Sequence, residues 1–286
     1  MTQPSPPSLQ LILIDGYVRP SIYNFHALSS IFGHDEAVRI VSRVVLRAWK
    51  QTPADTRPTV DVFTLHNFTR LWAIPGAWQH GLPPDYVAFL ADPPVKHFNA
   101  PLYYGIDLVG RYIVDASLPI GYRGIPSTPF APYSQISQQR YESILEHLDH
   151  MPIWFFERGP GGHRLGVPLE TAVGGDVQML NDVHELDDLR DKKSLKLKFN
   201  WPNYPSSEKQ IRSPMHTLNR LVKLTAGAVR NFMHDSEGHK LDSALQQWSD
   251  IGTGPGEVNV GTVLLLGIHF VSDGAAMPLL ATQEQE

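Results

Sequence analysis

The chain contains no cysteine. This removes disulfides, thiolate-bound zinc, iron–sulfur clusters and a cysteine nucleophile together. It also tilts the reading towards a reducing, intracellular setting, cytoplasmic or nuclear. Long hydrophobic runs are missing too. The longest, "VLLLGIHFV" at 263–271, is about half of what a bilayer requires, so no membrane span is expected. The opening "MTQPSPPSLQLILIDGYV" has no basic stretch ahead of its short apolar run, and no secretory signal is expected there. The sequon Asn67-Phe68-Thr69 then reads as a chance match. Catalytic signatures are scarce as well. No G-x-S-x-G elbow occurs. "GPGG" (159–162) and "GTGPGE" (252–257) fit neither phosphate-loop nor dinucleotide spacing and read as turns.

What is present describes a folded protein. Of the 286 residues, 42% are hydrophobic and 19% charged, which supports a sizeable core. The 24 prolines lie well above the usual ~5% share and call for many loops and helix stops. The expected fold is α+β: a single domain over 9–280, a mixed β-sheet flanked by about four helices, and long Pro/Gly-rich loops. Residues 1–8 and 281–286 are expected to be loose tails.

Helices are expected near 35–50, 135–149, 214–234 and 238–248, from their 3.6-residue apolar periodicity. Asp35 is the expected cap of the first. Ser213, with Pro214 at the first helical position, is the expected cap of the third. "LQLILIDGYV" (9–18) reads as a buried strand, and "TVDVFTL" (59–65) alternates like one. The aromatic- and proline-rich stretch 66–134 yields a short helix near 84–91 and a strand near 106–115. "PIWFFE" (152–157) and "SLKLKF" (194–199) read as strands, and "VNVGTVLLLGIHFVS" as a central one.

Charge is unevenly distributed. Residues 190–230 hold ten Lys/Arg against two acids, Asp191 and Glu208, a net of +8; the rest of the chain has 14 basic and 27 acidic residues, a net of −13. Such a split suits a surface for an anionic partner, with Trp201 and Tyr204 available for stacking. The candidate binding residues are Lys196, Lys198, Trp201, Tyr204, Lys209 and Arg212, on a basic face at 192–223. The competing explanation is structural. Lys196 and Lys198 share the wet face of a strand whose other face carries Leu195, Leu197 and Phe199, and edge lysines prevent aggregation. "NWPNYP" would then be a rigid turn with buried aromatics.

Histidines and acids give further candidates. "EHLDH" contains His-x-Asp, but at the end of an expected helix rather than a strand, where histidine suits the helix dipole without any metal. His269 lies in the central strand with Asp273 at its end. With His97, these are the candidate acid/base residues of an enzyme whose pocket the aromatic loops at 66–130 would line. "DDLRD" places Asp187, Asp188 and Asp191 at the spacing of the DDxxD motif and so resembles the magnesium–diphosphate site of class I terpene synthases, which are nearly all-helical and larger. The opposing reading is a solvated acidic turn. No cofactor is indicated.

Two pieces together resemble a group of proteins of mushroom-forming (basidiomycete) fungi to which no activity is assigned. "FNWPNYPSSEKQI", followed by "LVKLTAGAVRNFM", resembles their WPxYP…QI element. "VLLLGIHFVSDGAAMPLL" resembles their C-terminal strand, with Ala275-Ala276-Met277-Pro278 where that strand ends Ser-Trp-Gln-Pro. The resemblance covers 194–280 and implies a fungal intracellular setting, with no chemistry attached.

Two functions follow as expectations. One is a non-catalytic binding or regulatory protein that meets a protein or other anionic partner, nucleic acid being less favoured. The alternative is an enzyme acting on a small molecule.

Overall fold

The structure is a computed structural model describing residues 8–71, 85–90, 98–104, 110–130, 148–159, 162–175, 177–179, 186, 189, 192–212, 214–238, 250–254 and 256–284. In chain order, α1 (Leu9–Val18), α2 (Ala27–Phe32), α3 (His34–Gln51) and α4 (Val60–Asn67) lead into β1 (Phe68–Leu71), β2 (Tyr86–Leu90), β3 (Tyr103–Tyr104) and β4 (Gly110–Ala116). Then come β5 (Tyr122–Gly124), β6 (Ile153–Trp154), the hairpin β7 (Phe156–Gly159) and β8 (Gly162–Leu165), β9 (Val167–Pro168) and α5 (Leu169–Gly174). The chain closes with β10 (Ser194–Phe199), β11 (Ser207–Arg212), α6 (Leu218–Ser236), β12 (Val263–Ser272) and β13 (Ala275–Gln283).

The expected α+β architecture is present, built on two larger sheets. One is antiparallel, in the order β1-β2-β4-β3. The other is mixed, in the order β11-β10-β13-β12-β6, with β5 added to β13 and β9 to β12; only its β10–β13 pair is parallel. Helix α6 covers the face of β10 that carries Leu195, Leu197 and Phe199, and Phe199 stacks on Phe232 at 4.6 Å between centroids. On the other face Phe32 of α2 meets His269 of β12. Gly267 is where β6 joins β12. A Cβ there would fall 2.4 Å from the Ile153 carbonyl oxygen, so only glycine lets the two backbones approach.

Several expectations are corrected. Residues 9–18 form a helix, not a strand. An unbroken apolar run carries no period to separate the two, and Ser8 decides it by accepting the Leu11 N–H at 3.3 Å. Residues 60–67 are likewise helical. The buried ones, Val60, Phe63, Thr64 and Asn67, keep the i, i+3, i+4, i+7 spacing of a helix face, and Thr64 and Asn67 turn their side chains back onto the carbonyls of Val60 and Phe63, at 2.7 and 2.9 Å. That contact buries Asn67, so the sequon asparagine is spent inside the fold.

The expected helix near 84–91 is instead β2, the second strand of the antiparallel sheet, paired on both sides and buried over Tyr86–Phe89. Asp35 does not cap α3. Gly33, at φ 84°, ends α2 and begins α3 in one residue, and Asp35 pairs with Arg19 at 2.7 Å. The long helix starts at Leu218 with Thr217 as cap, later than Pro214 implied. Nor is 281–284 loose: β13 runs to Gln283, and the Glu284 N–H donates to the Gly121 carbonyl at 2.7 Å. The helices expected at 135–149 and 238–248 lie almost wholly outside the described residues. No helix among the described residues is long and apolar enough to cross a membrane.

Candidate functional site

Strand β10 holds the candidate lysines where its alternation puts them. Lys196 and Lys198 point to the wet face, opposite Gln210 and Glu208 of β11. Both ammonium groups reach the same carboxylate: Lys196 Nζ lies 3.1 Å from Glu208 Oε1, and Lys198 binds Oε2. The Glu208 carboxyl is held below its usual range, first by its hydrogen bond from Lys198 and then by that from Lys196. One acid facing two lysines leaves a surplus positive charge on this corner. Lys209 turns to the other face and pairs with Asp235 of α6, and Arg212 donates to the Gln210 side chain at 3.1 Å. The basic residues therefore do not form one continuous face.

Trp201 and Tyr204 are not surface groups. Both are buried. Trp201 lies against Phe232, and the Tyr204 hydroxyl accepts the Ile251 N–H at 2.8 Å. Their turn is closed by the Tyr204 N–H on the Trp201 carbonyl, with Asn203 at φ 68°. These rings serve as staples between "NWPNYP" and α6, and neither offers a base a face to stack on.

Beside Lys198 the mixed sheet splits. β10 pairs with β13 only at Ala275 and Ala276, and β5 takes over that edge from Ala281 to Gln283. Between them, among the described residues, no strand pairs with β13 on that side, though the Ile125 N–H donates to the Leu280 carbonyl at 2.9 Å, and Pro278, which has no N–H to offer a neighbour, sits in the gap. The gap is a shallow groove enclosing about 20 Å³, lined by Met277, Pro278, Leu280, Ile125, Trp201 and Lys198 among others. Lys198 also lies over the Phe130 ring, 4.6 Å from its centroid.

Of the acid/base candidates, His269 and Asp273 lie among the described residues. His269 is 3% exposed, and burial, helped by the charge of Arg43, pushes its imidazole down to about 4. It is neutral at physiological pH. Its ring stacks near that of His150 at 6.2 Å. Asp273 lies exposed in the turn between β12 and β13, its carbonyl accepting from Lys192. The Asp149 carboxylate of the His-x-Asp stretch is occupied by backbone, accepting the N–H groups of Asn99 at 2.8 Å and Met151 at 3.0 Å. His97, Asp187, Asp188 and Asp191 lie outside the described residues. Among the described residues no group of three or more metal-binding side chains is placed to hold an ion.

One cluster escaped the sequence reading. His26, the residue before α2, is fully buried between two carboxylates: its Nε2 is 3.7 Å from Asp85 Oδ2 and its Nδ1 is 3.8 Å from Asp115 Oδ2. Asp115 Oδ1 accepts two N–H groups, from Leu28 at 3.1 Å and Ala116 at 2.9 Å, and so caps a helix whose own cap residue bonds none. Burial drives the Asp115 carboxyl up to about 8, with the Asp85 charge adding to it against the two backbone hydrogen bonds. Asp85, at φ 55°, accepts from the Ser117 hydroxyl at 2.9 Å. The available signal was Asp115 itself, a lone charge inside the apolar strand "YIVDA".

No known protein family, no curated protein and no solved structure matches the chain.

Proposed function

We propose that the protein is a non-catalytic binding protein that receives an acidic segment of a protein partner at the corner where β10, β11 and the groove meet. The observation that carries this reading is the pairing of Lys196 and Lys198 with a single carboxylate, beside a shallow groove of mixed polarity that Lys198 helps to line. A negative side chain satisfies the surplus charge, and an apolar neighbour lies across the shallow groove. With about 20 Å³ of enclosed space the groove is far too small for a small-molecule site of the usual ~300–1,000 Å³ and offers a shallow surface for contact. Buried Trp201 and Tyr204 favour a protein over a nucleic acid, since single-stranded binding relies on exposed rings. An intracellular partner fits the missing cysteines.

The test uses a fluorescent library of acidic peptides, each with one Leu or Phe, against scrambled basic controls. The acidic peptides should bind the parent, weaken as salt rises, and lose binding to the Lys196→Glu, Lys198→Glu double variant. Equal binding of acidic and basic peptides, or no change in the double variant, would overturn the reading.

A further inference from the structure

We propose that the outer face of α1, with α4 beside it, is a self-association surface that receives α1 of a second copy of this chain in antiparallel, two-fold packing. α1 is apolar on both sides. Leu11, Ile14 and Val18, with Asp15, lie at i, i+3, i+4 and i+7 on the side that packs on α3 and α4. Leu9, Ile12, Leu13, Gly16 and Tyr17 keep the same spacing on the other side, and there all five are exposed. α4, packed against α1, exposes Val62 and Leu65 one turn apart. Of the eight large apolar side chains exposed among the described residues, six belong to these two neighbouring helices, by 36% to 69% each. Scattered exposure is ordinary, whereas a cluster on adjoining elements marks a contact surface.

Charge, shape and area all point to a second copy as the occupant. The stripe carries no charge, because Asp15, the one charged residue of α1, lies on its inward side. An uncharged face meets itself without repulsion, so it can pair with its own copy about a two-fold axis. With the axis at Leu13, Leu9 of each copy meets Tyr17 of the other. Gly16 supplies the room. A Cβ there would meet nothing within 4 Å, so no neighbour in the monomer requires a residue that weakens a helix, while a second helix crossing closely does. The six side chains expose about as much as three whole ones, a patch on the order of 500 Å². Two copies face to face bury about 1,000 Å², where specific interfaces begin, so the pairing is weak and concentration-dependent. A bilayer suits this face less well. Helices that lie on membranes set lysine and arginine beside their apolar side, and neither α1 nor α4 carries either.

Sedimentation equilibrium on the full chain, from about 1 to about 200 µM, tests the pairing across the affinities that small interfaces reach. The mean mass should climb from one chain towards two. Leu13→Glu sets two carboxylates against each other on the axis, and Leu13→Lys two ammonium groups. Either variant alone should move the midpoint up by about tenfold or more, and an equimolar mixture of the two should recover it, since unlike charges then face each other. A parent that stays monomeric throughout, a midpoint that neither variant moves, or a mixture no more associated than its components overturns the proposal. Uptake of a monomeric parent by phosphatidylcholine vesicles also overturns it and gives the face to lipid. Should the Leu13 variants fail to fold, Leu9→Glu, at the most exposed position of the stripe, takes their place, and an unchanged midpoint there is equally fatal.

Discussion

Asp115 and His269 are both shut away from water, one on each of the two larger sheets, and burial moves them in opposite directions. Each is driven towards its neutral form, the acid upwards and the base downwards, because a low-dielectric interior penalises whichever form is charged. The consequences for stability therefore oppose each other. Asp115 binds its proton more tightly in the folded state, so its contribution is fully present below its unfolded value of 3.8 and is lost as pH rises through about 8. His269 binds its proton less tightly, so its contribution is present above 6.5 and is lost as pH falls towards about 4. The same physical cause thus sets an upper and a lower pH limit from two separate places.

The largest effect should come from removing the acid. Asp115→Asn abolishes a linkage spanning about four pH units, on the order of 5 kcal/mol, so urea melts of the variant should gain on the parent most near pH 8 and little near pH 4. A variant that loses stability at both pH values would break the contrast. Next comes the base. His269→Gln should flatten the acid limb, where the parent loses on the order of 3 kcal/mol between pH 6.5 and 4. An acid limb that persists in the variant would place the titrating group elsewhere.

Ser117→Ala should cost about 1 kcal/mol by taking the hydroxyl from Asp85, and leave the pH limits in place. The Lys196→Glu, Lys198→Glu variant sharpens the contrast from outside. It sets two carboxylates beside Glu208, one directly across the strand pair, so its melting point should fall modestly without moving the pH limits, while acidic-peptide binding is lost.

Legibility in the sequence followed whether a segment's pattern had one physical meaning. β10 was readable because Lys196 and Lys198 alternate with three apolar residues, and the structure wets one face and dries the other. α3 was readable through its apolar stripe, and β12 through a continuous apolar run. α1 was not, because a helix apolar on all sides, with Leu9 and Ile12 exposed, imitates a buried strand. α4 was missed because the short alternation of Val60, Val62 and Thr64 masks the helical spacing of its buried residues, Val60, Phe63, Thr64 and Asn67. β13 was hidden by Pro278, which sequence rules exclude from a strand inside a sheet and which the split beside β5 accommodates. Of the candidate site, the wet lysines were visible and their shared partner Glu208 was not, since strand register is set across the turn. His26, Asp85 and Asp115 lie far apart in the chain, and only the topology brings them together.

Helix α2, six residues long, is held almost entirely by its neighbours. Asp115 of one sheet caps its first turn, and Ser30 and Ile31 accept the N–H groups of Gly124 and Ser127 beside the other sheet, at 2.9 and 2.8 Å. A segment this short has no helical stability of its own. It forms only when both flanking layers are in place, which makes it the point where their unfolding becomes one event. A protein stitched in this way should melt in a single transition, and damage to six residues should be felt in both sheets at once.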